Sequence, residues 1–169
     1  RQTIGGPLML LEAASEDLLI PQTQLEKLAQ SASHRYKKYT IDKPRSGEKR
    51  EIHHPARELK SVQRWIVDSI VRPALPVHAA VSAYQKGSNV ADHARKHARQ
   101  NYLMRMDFKD FFHTLSADDI RKHASEYQTR LSNLWHSTEA DWQEQDTELL
   151  IDFVCLRDRL TIGAVSSPS

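Results

Sequence analysis

Two aspartates three residues apart, Asp107 and Asp110, lie in the run Leu103-Met104-Arg105-Met106-Asp107-Phe108-Lys109-Asp110-Phe111-Phe112. Alternation through Tyr102, Met104 and Met106 predicts a strand over 102–107, so the first carboxylate would stand at a strand end, rigidly held and facing solvent. That placement suits magnesium, a hard cation that takes oxygen ligands and often shares them with substrate phosphates. A plain strand followed by an aspartate-rich turn has the same spacing. His93 and His97 stand four apart, the helical spacing of two zinc ligands. Ala94, however, occupies the position where a metalloprotease carries its general-base glutamate. Ser167 lacks the G-x-S-x-G setting of an activated serine. Cys155 lies in an apolar stretch that reads as core, and so does Trp65, although Trp65, Trp135 and Trp142 all have rings able to stack bases.

A second cluster is cationic. Between His34 and Arg50 the chain carries Arg35, Lys37, Lys38, Lys43, Arg45, Lys49 and Arg50 against only Asp42 and Glu48. Tyr36 to Lys43 and Lys49 to His54 read as two strands around the turn-forming Pro44-Arg45-Ser46-Gly47-Glu48. Arginine grips phosphate bidentately and lysine acts as a point charge, so Arg50 and Lys43 are candidates for holding a polyphosphate. The plain alternative is a solvated basic hairpin. From Ser116 to Arg159 the balance turns acidic, which leaves the front part, or a cleft it borders, to meet polyanions.

The elements that must position these residues are partly marked. Thr23 with Glu26 resembles a capping box opening a helix with Leu25 and Leu28 on one side. Leu59, Val62, Ile66 and Ile70 recur at helical spacing and predict a helix over 57–71, closed by Pro73. Val90 to Arg99 reads as a basic helix. Ser116 with Asp119 caps a further one to about Tyr127, and 148–156 is an apolar helix candidate. Residues 1–21 are apolar and weakly punctuated, with no role assigned. Helices and strands mix without a βαβ rhythm, so the expected class is α+β.

The 169 residues are 39% hydrophobic and 27% charged, with net charge +2, an ordinary globular composition with no long apolar span. The single cysteine excludes a disulfide framework and a Cys-rich zinc site. No G-x-x-x-x-G-K-[ST] or G-x-G-x-x-G occurs, which argues against P-loop and dinucleotide folds. The chain opens without a charged-then-apolar leader, and the expected setting is cytoplasmic, with no membrane contact.

From Tyr39 to Ser169 the order of motifs resembles the front half of a bacterial retron-type reverse transcriptase. The matching pieces are Tyr39-Thr40-Ile41-Asp42-Lys43, Lys49-Arg50-Glu51-Ile52-His53-His54-Pro55, Arg57-Glu58-Leu59-Lys60-Ser61-Val62-Gln63-Arg64-Trp65, Met106 to Phe112, and Gly163-Ala164-Val165-Ser166-Ser167-Pro168. The resemblance implies roles residue by residue. Asp107 and the carbonyl of Phe108 would ligate Mg2+, the expected cofactor. Lys43 and Arg50 would clamp the triphosphate, and the amide of Asp110 would help hold it. Phe112, beside Phe111 in the nucleotide pocket, would crowd a ribose 2′-hydroxyl and so select deoxynucleotides. Gly163 would let the backbone approach primer, template and nucleotide closely. Two departures stand out: Thr161-Ile162-Gly163 replaces the family's usual Pro-Gln-Gly, and His93-Ala94-Arg95-Lys96-His97 keeps only Ala and His of its Asn-Ala-x-x-His element.

The resemblance makes 1–35 an N-terminal helical segment, 36–100 the fingers and 101–169 a partial palm of a right-hand polymerase, ending before the Tyr-x-Asp-Asp motif. The expected whole is an RNA-directed DNA polymerase that copies a structured non-coding RNA into RNA-linked single-stranded DNA (msDNA). Its partners would be that RNA template and primer, the msDNA, dNTPs and an effector protein in anti-phage defence. This stretch alone would be inactive, since two ions held by one carboxylate side chain would repel. A group II intron or diversity-generating reverse transcriptase, or a non-catalytic RNA-binding scaffold, is the alternative.

Overall fold

Met9–Leu18 opens the fold as helix α1, with Met9, Leu10, Leu11, Ala13 and Ala14 all buried. This is the stretch to which the sequence assigned no role. Its ends carry no conventional signals: Leu8 provides no side-chain cap, and Leu19 closes the helix at φ 55°, where glycine is usual. The structure, a computed structural model, describes residues 8–42, 47–78, 81, 87, 89–108, 111–135 and 141–161.

Helix α2 (Gln22–Ser31) buries Leu25 and Leu28 as expected. It starts one residue before Thr23 and without a capping box, because the Pro21 carbonyl accepts the Gln24 and Leu25 amides at 2.8 and 3.1 Å. Strands β1 (Tyr36–Asp42) and β2 (Lys49–Pro55) form an antiparallel hairpin, with Tyr36 opposite Pro55 and Asp42 opposite Lys49. Gly47 holds φ 65° in the connecting turn, a conformation that glycine adopts without a Cβ penalty. Most of the hairpin projects into solvent; Ile52, His53 and Pro55 of β2 are buried.

Helix α3 (Arg57–Ile66) continues through a π-helical turn (Val67–Val71) into the short α4 (Arg72–Ala74). Leu59, Val62, Ile66 and Ile70 are all but fully buried, at about 1.5–3 kcal/mol each for side chains of this size. Pro73 does not close this helix where the sequence suggested. It lacks an N–H and crowds the preceding turn, and the wider π turn just before it is a known way for a helix to relieve such strain. The chain leaves the helix at Leu75.

Only the first part of the expected 90–99 helix forms, as α5 (Val90–Arg95), capped by Asn89 and exposed throughout. With no buried face, it is supported among the described residues by the Asn89 cap and the Asp92–Arg95 ion pair. After α6 (Phe111–Thr114), helix α7 (Ala117–Glu126) opens with the expected Ser116–Asp119 capping box. Helix α8 (Gln128–Ser132) follows, then α9 (Glu144–Val154). Helix α9 begins four residues earlier than its apolar run, because Gln143 and Asp146 form a capping box there. Asp146 is buried and also accepts the Leu10 amide at 2.9 Å, tying the first helix to the last. Burial raises its carboxyl above the usual range, while the amides of Gln143 and Leu10 pull it back.

Helices α1, α2, α3 and α9 share one apolar core, with α7 against α9. Gln63 is buried within it, its amide donating to the Tyr36 hydroxyl and the Phe153 carbonyl, each at 2.8 Å. Trp65 stacks on Trp135 at 5.9 Å and donates to Asp17, a core role as expected. Arg121 binds Glu148 through two bonds of 2.6 and 2.9 Å, locking α7 to α9. The whole is mixed α+β.

Candidate nucleotide and nucleic-acid site

Tyr102 to Phe108 forms neither helix nor strand, contrary to the alternation of its side chains. A strand needs a ladder partner for its N–H and C=O groups, and among the described residues only β1 and β2 pair as strands. The run is therefore laid open: Tyr102 is 93% exposed, Met104 78%, Met106 80% and Phe108 80%. Asp107 is exposed with it, and among the described residues its carboxylate makes no hydrogen bond or ion pair. It stands in solvent as the sequence required, but not on a strand.

Phe111 opens α6 and its ring lies 5.8 Å from that of Phe108. Arg50 lies exposed on β2 opposite Ile41, with no ion pair among the described residues. Lys43, Asp110 and Gly163, and the side chain of Phe112, lie outside the described residues. His93 and His97 meet edge to face at 5.1 Å on an exposed surface.

Two chain segments are fastened together near His113, at the end of α6. The Leu160 amide donates to the Leu115 carbonyl at 3.1 Å, the Ala117 amide to the Asp158 carbonyl at 2.9 Å, and Arg159 to the His113 carbonyl at 2.7 Å. The segment leading to Ile162-Gly163 is thereby fastened beside the one that follows Asp107. His53, on the hairpin, lies within electrostatic reach of His113. His53 is buried, with Nε2 2.7 Å from Glu51 and Nδ1 without a partner among the described residues. Burial depresses its pKa below the ordinary 6.5, and the Glu51 carboxylate pulls the other way. Donation from a neutral Nε2–H to Glu51 leaves Nδ1 as a bare acceptor, which accounts for both observations. The Thr161 hydroxyl is likewise buried without a partner among the described residues.

Sequence reasoning missed His53, Gln63 and Asp146. Gln63 could have been noticed as a polar residue on the apolar face of α3. His53 stands in a strand between buried Ile52 and exposed His54, so alternation does not reveal it.

Oxygen donors fit magnesium in kind, and the Asp107 carboxylate and the Phe108 carbonyl supply two. Among the described residues no group of three or more His, Cys, Asp or Glu side chains is gathered for a metal. An ion here would take its remaining ligands from water, from substrate phosphates or from outside these residues. Nor is any helix of the described residues long and apolar enough to cross a membrane.

An exposed carboxylate beside paired aromatics, with a cationic hairpin on the same body, has the makings of a phosphoryl-transfer site. No protein-family model matches the chain. Individual relatives do. Retron Ec86 reverse transcriptase of Escherichia coli is 27% identical over 170 aligned residues, spanning 99% of this chain and 48% of the relative. Retron Ec73 reverse transcriptase of the same species is 30% identical over 136 residues, 78% of this chain and 40% of the relative. Retron Mx162 reverse transcriptase of Myxococcus xanthus is 39% identical over 82 residues, 48% of this chain and 16% of the relative. Over most of its length, then, this chain is a relative of the retron reverse transcriptases. It spans about half, or less, of the length of the curated relatives it matches.

Proposed function

We propose that this chain is the fingers and the front of the palm of a retron reverse transcriptase, an RNA-directed DNA polymerase. The observation that carries the reading is the similarity to enzymes of that name across almost the whole chain, Asp107 included. Residues 1–35 would form the N-terminal helical segment, 36–100 the fingers and 101–169 the partial palm. The template and primer would be a structured non-coding RNA, the product RNA-linked single-stranded DNA, and the setting the cytoplasm, with anti-phage defence and an effector partner as the resemblance implies.

The residues act by position and charge. The Asp107 carboxylate and the Phe108 carbonyl would hold Mg2+, which supplies electrostatic stabilisation of the attacking 3′-oxygen and the leaving pyrophosphate. Arg50 and Lys43 neutralise and orient the triphosphate, and the Asp110 amide donates to it. Phe112, next to Phe111, excludes the 2′-hydroxyl, and Gly163 leaves room for the primer-template backbone. The rings of Phe108 and Phe111 pack together beside the metal-binding position. This stretch by itself is expected to be inert, because one carboxylate side chain cannot balance two divalent ions.

Primer extension on an RNA template with the whole protein tests the reading. It should incorporate dNTPs in preference to rNTPs and stop when magnesium is chelated. No templated synthesis on any supplied or copurifying RNA would overturn it in favour of a scaffold.

A further inference from the structure

Along β2, side chains alternate, so Glu51, His53 and Pro55 share one face and Arg50, Ile52 and His54 the other. Ile52 and His53 are nonetheless both buried, so the strand is covered on both faces at that step. Nearer the turn, Lys49, Arg50 and Glu51 are exposed, and β1 is exposed throughout beyond Tyr36. The base of the hairpin is fixed separately. There the Ala56 amide donates to the Arg35 carbonyl at 2.7 Å, and the Tyr36 hydroxyl accepts from Gln63. Between that base and the turn, Ile52 and His53 alone are buried among the described residues.

The seat at His53 depends on a neutral ring. Protonation would add an N–H at Nδ1, where no acceptor lies among the described residues, and a positive charge where water is excluded. The charged groups that face it are Glu51 on its own strand, Lys38 directly opposite on β1, and His113 on α6. Glu51 is already shared with Lys38, at 3.6 Å. One carboxylate would then answer for two cations, or for three with His113 protonated. Water is what remains to solvate the new charge, and the ring reaches it when the hairpin lifts about its base. Arg50 is three residues along the same strand and moves with it.

We propose that His53 is a positioning residue: its neutral imidazole seats the hairpin on the body of the protein, and its protonation releases the hairpin, so that the grip of Arg50 on the nucleotide triphosphate weakens in mild acid. His53 acts through the backbone of β2 and not on the reacting atoms. The inference rests on the polymerase reading for what Arg50 grips, and on the hairpin alone for the seat.

The test measures KM for dTTP and kcat separately in primer extension by the whole protein, from about pH 7.5 to 5, the range in which histidine titrates. Hydrogen exchange of 37–42 and 49–53 is followed over the same range. His53→Gln is the comparison, because its amide keeps an N–H for Glu51 and does not titrate. The terminal phosphate of the nucleotide titrates near about pH 6 for both proteins, so the difference between them is what counts. KM should rise in acid by at least about threefold more in wild type than in the variant, with no matching difference in kcat; the ceiling is about tenfold per pH unit below the folded pKa. A two-stranded hairpin off its support is marginal, so its amides should lose protection in acid in wild type alone. Two further variants leave His53 in place: Glu51→Gln should move the midpoint of that loss to lower pH, and Lys38→Gln to higher pH. Equal exchange in wild type and His53→Gln, or a midpoint that ignores both charge changes, overturns the seat. Acid-induced exchange at the hairpin without a difference in KM keeps the seat and overturns the grip given to Arg50, which is a failure of the polymerase assignment.

Discussion

His53 shows what one buried side chain can report. Because burial depresses its pKa, the unfolded chain binds a proton there more tightly than the folded protein does. The stability it contributes is therefore complete above pH 6.5 and is lost as pH falls through the depressed folded value. Thermal unfolding from neutral pH downwards should show that loss, and His53→Phe should flatten it; an unchanged pH dependence in the variant would contradict the assignment. Cys155 is quieter: burial pushes its thiol up to about 12, consistent with a core residue and no chemistry. Asp107 was identifiable from residue type and spacing, and its exposure is as expected. Its missing strand was not identifiable, because alternation records which side chains share a face and not whether a neighbour exists to complete the ladder.

Among the elements, α3 is the joint of the molecule. Its apolar face enters the core, and Gln63 ties it to β1 and α9. Replacing Gln63 with Leu keeps the volume and strands the Phe153 carbonyl, which should cost about 1–3 kcal/mol in denaturant unfolding. A loss within a few tenths of a kcal/mol would mean that another partner takes over the carbonyl. The hairpin, α3 and α7 were readable because periodicity, turn residues and a capping box agreed. Helix α1 was not, since an apolar run bounded by Leu8 and Leu19 carries no cap or glycine. The early start of α9 was hidden because Asp146 looks like surface acid and is a buried tie to Leu10. Pro73 misled in the other direction, as a π turn let the helix run past it.

At the scale of the whole molecule, the apolar face of Tyr102 to Met106 stands open next to the catalytic candidate. If 101–169 is the front of a palm, that run is a strand waiting for its sheet. Hydrogen exchange in the whole protein should then find the amides of 102–107 as protected as those of β2; exchange at the rate of an open loop would contradict the palm assignment. The fastening of the 158–160 segment to the end of α6 around His113 is the part of the candidate site that no sequence pattern announced. It depends on contacts between residues tens of positions apart, such as His113 and Arg159, which local spacing does not encode.

Primer extension and RNA binding measured side by side on Asp107→Asn in the whole protein bear most directly on the central role given to that carboxylate. The variant should lose DNA synthesis by several orders of magnitude while keeping its affinity for RNA, since Asp107 makes no structural bond among the described residues. Synthesis at an undiminished rate would contradict the account.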